Sequence, residues 1–170
     1  MDERKKSDPT GKSRTTVERS SDRETRVTRT VQAPARLVFE AFTRPELFRQ
    51  WWIPKSMGMT LISCKMDVRI GGGYRLEIKH PAAPDPMAFF GKYVEVTPYS
   101  RLVWSNDENG EAGSVTTVTF EERNGATLVT LRELYASKEA LEAAGRAADA
   151  MPEQFEQLDA LLVTLGTVGP

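Results

Sequence analysis

The sequence predicts an α+β domain in which a curved antiparallel sheet of about seven strands wraps around a long C-terminal helix. Three observations carry that expectation. Apolar and polar residues alternate with period two through most of residues 59–135. Short turn signals separate the alternating runs, so consecutive strands meander antiparallel. A leucine stripe with helical spacing then closes the chain.

Residues 25–31 alternate and are rich in β-branched side chains, giving a first strand with Val27, Arg29 and Val31 on one side. Pro34 stands where a helix begins, and Leu37, Val38, Ala41 and Phe42 recur on one helical face. Thr43-Arg44-Pro45-Glu46 has the capping-box spacing of a second short helix, which presents Leu47, Phe48, Trp51 and Trp52 and ends at Pro54. Six further strands are predicted at 59–66, 74–80, 89–96, 102–105, 114–122 and 126–135. The turns between them are marked by Gly71-Gly72-Gly73, the proline-rich run 81–86, Pro98-Tyr99-Ser100, Asn109-Gly110 and Asn124-Gly125. Asn124-Gly125 is the sharpest of these, because a two-residue type I′ hairpin needs positive φ at both positions. From Ser137 the period is helical, first through an alanine-rich stretch and then through Phe155, Leu158, Leu161, Leu162 and Leu165, with Pro152 expected to break or kink the helix. Glu153, Glu156 and Asp159 mark its solvated side. The resulting order, β-α-α-β-β-β-β-β-β-α, leaves a space between the sheet's concave side and the helix, filled by side chains or by a ligand.

With 170 residues and 39% hydrophobic content, the chain can bury the core of one domain but not of two. Residues 1–22 read as a disordered, charged leader and 23–170 as a single domain. Nine basic residues oppose six acidic ones in 1–30, ten oppose six in 31–104, and four oppose twelve in 105–170. That acidic final part argues against a nucleic-acid binder, which needs a dense Lys/Arg surface. Neither a signal-peptide core nor a bilayer-spanning stretch is present, so a cytoplasmic protein is expected. The single cysteine, Cys64, lies in an apolar strand and reads as an inert buried thiol.

Catalytic signals are sparse. His80, the only histidine, precedes Pro81 at a strand end and reads as a surface residue. Asp67, Glu77 and Arg75 are polar residues on predicted strands. Alternation puts Arg75 and Glu77 on one face, as a surface ion pair or, if that face is concave, with Arg75 orienting a ligand carboxylate or enolate. The triple glycine lacks phosphate-loop spacing and reads as a turn or bulge. One His and one Cys without ligand spacing offer no metal site, and no cofactor is called for. The aromatic set is more telling. Burying one tryptophan of about 200 Å² contributes up to roughly 5 kcal/mol at ~25 cal/mol per Å², so most aromatics belong to the core. Trp51 and Trp52 cannot both face one way, however, and one is placed at a cavity mouth. The candidate lining is Trp51, Trp52, Arg75, Tyr93, Trp104, Tyr135, Met151 and Phe155.

Taken in order, Ala33-Pro34 with residues 38–43, Pro45-Glu46-Leu47 through Trp51-Trp52 and Pro54, residues 67–75, 91–96 and 101–104, and residues 155–161 resemble the START-like (Bet v 1-like, SRPBCC) superfamily. Within it they are most similar to homologues of the Hsp-90 ATPase activator. The resemblance covers residues 25–165 and implies a helix-grip fold. It implies a binding activity rather than a defined reaction, since relatives carry lipids, polyketides or hormones, some cyclise polyketides, and the eponymous domain assists a chaperone. The family often has Gly-Trp where this chain has Gln154-Phe155, a difference in the cavity's helical wall. Three readings follow. The first is a monomeric or homodimeric domain binding a small apolar ligand (a lipid, polyketide or aromatic metabolite), with Arg75 or Tyr93 as polar anchor. The second is a cyclase- or hydratase-type enzyme using His80 or carboxylates such as Asp67, and the third is a module docking on an Hsp-90-type chaperone.

Overall fold

Asn124 and Gly125 take φ of 55° and 80°, the two positive values a type I′ turn demands, and Arg123 pairs with Ala126 across it. The hairpin sits inside an eight-stranded antiparallel sheet in the computed structural model, which describes residues 15–108, 110, 113–145 and 147–168. The strands are β1 (Thr16–Arg19), β2 (Glu24–Val31), β3 (Thr60–Met66), β4 (Gly73–Lys79), β5 (Met87–Thr97), β6 (Arg101–Asn106), β7 (Ser114–Arg123) and β8 (Ala126–Tyr135). Their order across the sheet is β1-β2-β8-β7-β6-β5-β4-β3. Between β2 and β3 come α1 (Ala35–Thr43), α2 (Pro45–Phe48) and a 3₁₀ turn, Lys55–Met57. After β8 come α3 (Lys138–Ala144), a 3₁₀ turn, Ala147–Ala150, and α4 (Met151–Val168).

Strand β1 falls within the stretch expected to be leader. Its four residues are too few and too polar to show alternation. It is held by backbone pairing with β2 and by the Glu18–Arg26 ion pair at 2.6 Å. The rest of the expected leader, residues 1–14, lies outside the described residues, as does Asn109 of the Asn109-Gly110 turn.

The helix ends differ from the sequence reading in three places. Thr43 does not cap α2: it is the last residue of α1, and its hydroxyl donates to the Phe39 carbonyl at 2.9 Å. Pro45 opens α2 without a side-chain cap, and the helix stops after one turn. The C-terminal helix breaks at Gly145, φ 62°, rather than at Pro152, which sits in the first turn of α4 where no backbone donor is required. Ser137 caps α3 by accepting from the Ala140 amide at 3.0 Å. Helix α1 is capped from across the fold, by the Glu122 carboxylate of β7 accepting the Ala35 amide at 2.8 Å.

The core lies between the concave face and α1 and α4. Val27 and Val31 of β2, Val38 and Phe42 of α1, Val118, Val129, Trp51, Phe155 and Leu158 are fully buried. As alternation requires, Arg29 faces the same side as Val27 and Val31 and is only 5% exposed. Its partner is Asp159 of α4, bonded to the Arg29 guanidinium, so Asp159 belongs to the docked side of the helix and not to the solvated one. Glu153 also faces protein, accepting from the Ser56 amide (2.9 Å) and hydroxyl (2.5 Å). The triple glycine is a turn. A Cβ at Gly72 would lie 2.1 Å from the Asp67 carbonyl oxygen, and the turn is pinned to Tyr93 by Gly71 N–H to Tyr93 O and Tyr93 N–H to Gly72 O, both 2.8 Å.

Candidate functional site

Where the segment after α1 crosses the concave face, side chains leave a cavity of about 100 Å³. Its walls are Phe42, Phe48, Trp52, Phe89 and Trp104, with Met66 and Leu76 beneath them. Phe48 stacks on Trp52 at 4.8 Å, and Trp52 meets Trp104 edge-on at 6.5 Å. Tyr74, Tyr93, Asn106 and Glu108 form its polar end.

Two polar neighbours in this end differ in how well they are satisfied. The Tyr74 hydroxyl donates to the Ser105 carbonyl at 2.8 Å, with the Asn106 side-chain oxygen a second acceptor at 2.9 Å. Asn106 passes the chain on, its amide donating to the hydroxyls of Ser114 and Thr116 at 2.9 Å each, and Ser114 donates to the Glu133 carboxylate at 2.6 Å. The Tyr93 hydroxyl, by contrast, has no hydrogen-bond partner among the described residues although the residue is 5% exposed. Burial pushes that hydroxyl well above the usual tyrosine range, so it stays neutral and able both to donate and to accept.

Of the residues expected to line a cavity, Trp52, Tyr93 and Trp104 do so. Trp51 is core, fully buried with its indole N–H donating to the Ala41 carbonyl at 2.9 Å, and Phe155 stacks against it. Met151 is likewise buried in the core. Tyr135 lies beyond the polar end and hydrogen-bonds Glu133. Arg75 is on the convex face, paired with Glu77 at 3.1 Å and set over the Phe90 ring at 5.6 Å; it is no anchor for a ligand inside. His80 accepts from the Ala82 amide in its own turn, and Asp67 pairs with Arg69 at the surface, so neither reaches the cavity. Cys64 is half-buried, 3.6 Å from the Met66 sulfur, and burial pushes its thiol up.

Sequence reasoning missed Tyr74, Asn106, Glu108 and Glu133. Glu133 was legible in one respect: it alternates with Leu131 and Val129 and so faces inward. Burial, with a smaller contribution from Glu108, raises its carboxyl above the ordinary value near 4.5, while the Ser114 and Tyr135 hydrogen bonds pull the other way. A raised carboxyl holds its proton more tightly when folded. The stability it contributes is complete below about pH 4.5 and is lost as pH rises through the folded value. Glu133→Gln is therefore expected to gain on the parent as pH rises from 4 to 8 in urea-unfolding midpoints; parallel curves would show that Glu133 is not the group responsible.

Segment 51–56 is fixed from α4. Gln154 donates to the Trp52 carbonyl, and Gln157 donates to the carbonyls of Trp51 and Ile53 at 2.9 Å each while accepting the Lys55 amide at 2.9 Å. Gln154 thereby holds the backbone of the cavity's Trp52. No helix among the described residues is long and apolar enough to cross a membrane, and no group of three or more metal-ligating side chains is assembled among them.

The sequence profile described as Activator of Hsp90 ATPase homolog 1-like protein matches residues 32–163. None of the curated proteins compared with the chain matches it. Many solved structures do. A protein from Rhodobacter sphaeroides superposes with a TM-score of 0.79 at 22% identity, over 89% of this chain and 99% of its own. One from Staphylococcus epidermidis gives 0.72 at 25% identity, over 88% and 94%. An AHSA1-like protein from Aeromonas hydrophila gives 0.63 at 16% identity, over 83% and 94%.

Proposed function

The chain belongs to the activator of Hsp90 ATPase homolog 1-like family, and on that footing we propose that it is a binding domain whose cavity holds a small, largely apolar molecule. The observation that carries this reading is the Tyr93 hydroxyl, unpaired among the described residues within an aromatic cavity. That hydroxyl opens onto the cavity, where it can donate to or accept from a polar group of the ligand. The size narrows the ligand. A dry cavity of about 150 Å³ takes benzene, so one of about 100 Å³ accepts a small ring or a head group, not a whole acyl chain or polyketide. We place the binding in the cytosol, in keeping with the single unpaired Cys64.

Native mass spectrometry of the purified protein, followed by thermal-shift and tryptophan-fluorescence titration with small aromatic compounds, tests the proposal. Trp52 and Trp104 line the cavity and report occupancy directly. The unfolding midpoint is expected to rise with ligand concentration, by the equivalent of about 2.7 kcal/mol at a hundredfold excess over Kd. An empty protein that no compound stabilises would overturn the reading. It would favour the alternative that the family description suggests, docking on an Hsp90-type chaperone, visible as salt-sensitive binding at low ionic strength.

A further inference from the structure

We propose that the ligand carries a positive charge, an ammonium head that sits among the Trp52 and Trp104 rings and faces Glu108. The inference rests on the cavity being a binding site and adds the sign of what it holds. Glu108 is the one lining residue that carries a full charge; no Lys, Arg or His lines the cavity among the described residues. Arg75 is engaged with Glu77 and Phe90 on the convex face, Lys92 is exposed, and Arg49 donates to the Leu61 carbonyl at 3.5 Å. The field at the polar end is negative. Burial first, then the carboxylates of Glu108 and Asp107, push the Tyr74 hydroxyl far above its usual range.

Each ligand class meets this surface differently. An anion would lose its hydration with no cation to replace it and would face Glu108 directly. A neutral apolar molecule fits the walls but leaves the Glu108 charge unused. An ammonium meets opposite charge at one end and aromatic side chains around it, the residue types with which aromatic cages hold alkylammonium groups. The volume suits a head of this size, with any larger body lying outside.

Three near-isosteric probes separate charge from shape: choline, neutral 3,3-dimethylbutan-1-ol and anionic 3,3-dimethylbutyrate, titrated by tryptophan fluorescence. Choline is expected to bind at least about tenfold tighter than the alcohol, and the carboxylate weakest. Glu108→Gln keeps the acceptor for the Phe90 amide, found at 3.2 Å, and should lower the ratio of choline to alcohol affinity, with an unchanged circular-dichroism spectrum showing that the variant is folded. Equal affinity for choline and the alcohol would overturn the inference and leave the binding reading standing; absence of binding by all three, with no stabilisation by small aromatics, would overturn both. Incubation with phosphatidylcholine vesicles against phosphatidylglycerol vesicles, followed by native mass spectrometry, identifies the source. Retained phosphatidylcholine points to a lipid head group, choline binding without lipid uptake points to a free cation, and retention of phosphatidylglycerol alone would count against the positive charge.

Discussion

Replacing Asp159 with asparagine is expected to lower the unfolding free energy by about 3 kcal/mol. The Arg29 side chain is 5% exposed and cannot be rehydrated without withdrawing α4 from β2, so the substitution strands a buried guanidinium. Losing one partner of a buried pair typically costs about 3–5 kcal/mol. The lower end applies because Asp159 is itself 33% exposed, and the Arg29 bond to the Thr15 hydroxyl at 2.6 Å survives. The companion experiment replaces both residues, Arg29→Met with Asp159→Leu. Removing both charges leaves nothing uncompensated, and most of the lost stability should return. Urea-unfolding midpoints read both variants. A cost below about 1 kcal/mol for Asp159→Asn would mean that the leucine stripe docks α4 without help from the pair.

The consequence reaches the cavity, because the helix that Asp159 anchors also carries Gln154 and Gln157. Those two side chains hold the carbonyls of residues 51–53. A helix that loosens at Asp159 releases the backbone that places Trp52. Stability and ligand access are therefore coupled through α4.

Alternation made most of the sheet legible. It placed Val27, Arg29 and Val31 on one face, and the two positive φ values of Asn124-Gly125 follow from residue chemistry alone. It also contained the answer for Arg75: Tyr74, Leu76 and Ile78 are the apolar set of β4, so Arg75 and Glu77 belong outside. What alternation lacks is the identity of the neighbour across a helix–sheet interface. The leucine stripe fixes which side of α4 is buried but not which flanking residue meets Arg29, and so Asp159 read as solvated. Strand β1 was invisible because four residues pair through backbone amides, which leave no side-chain pattern. The polar end of the cavity is assembled from β4, β5, β6 and the turn after β6, with β7 and β8 behind them, and such non-local convergence has no one-dimensional signature.

Neighbouring tryptophans provide the second large effect. The sequence requires Trp51 and Trp52 to part but does not say which turns inward. Trp51 is fully buried against Phe42, Phe48 and Phe155, with its N–H on the Ala41 carbonyl. Trp51→Ala should cost about 3–5 kcal/mol, from the void left in the core and the unpaired carbonyl. Trp52 is partly exposed and lines the cavity, so Trp52→Ala should cost about 1–2 kcal/mol, chiefly its stack on Phe48. The two variants also divide in binding. With Trp52 truncated, the cavity gains the volume of the indole, and two-ring aromatics that the parent excludes should bind and raise its unfolding midpoint. The void left by Trp51 lies in the core behind that wall, so Trp51→Ala should widen nothing at the cavity and merely unfold earlier. Equal destabilisation of the two variants, or a Trp52→Ala protein no more permissive than the parent, would show that Trp52 does not bound the ligand site.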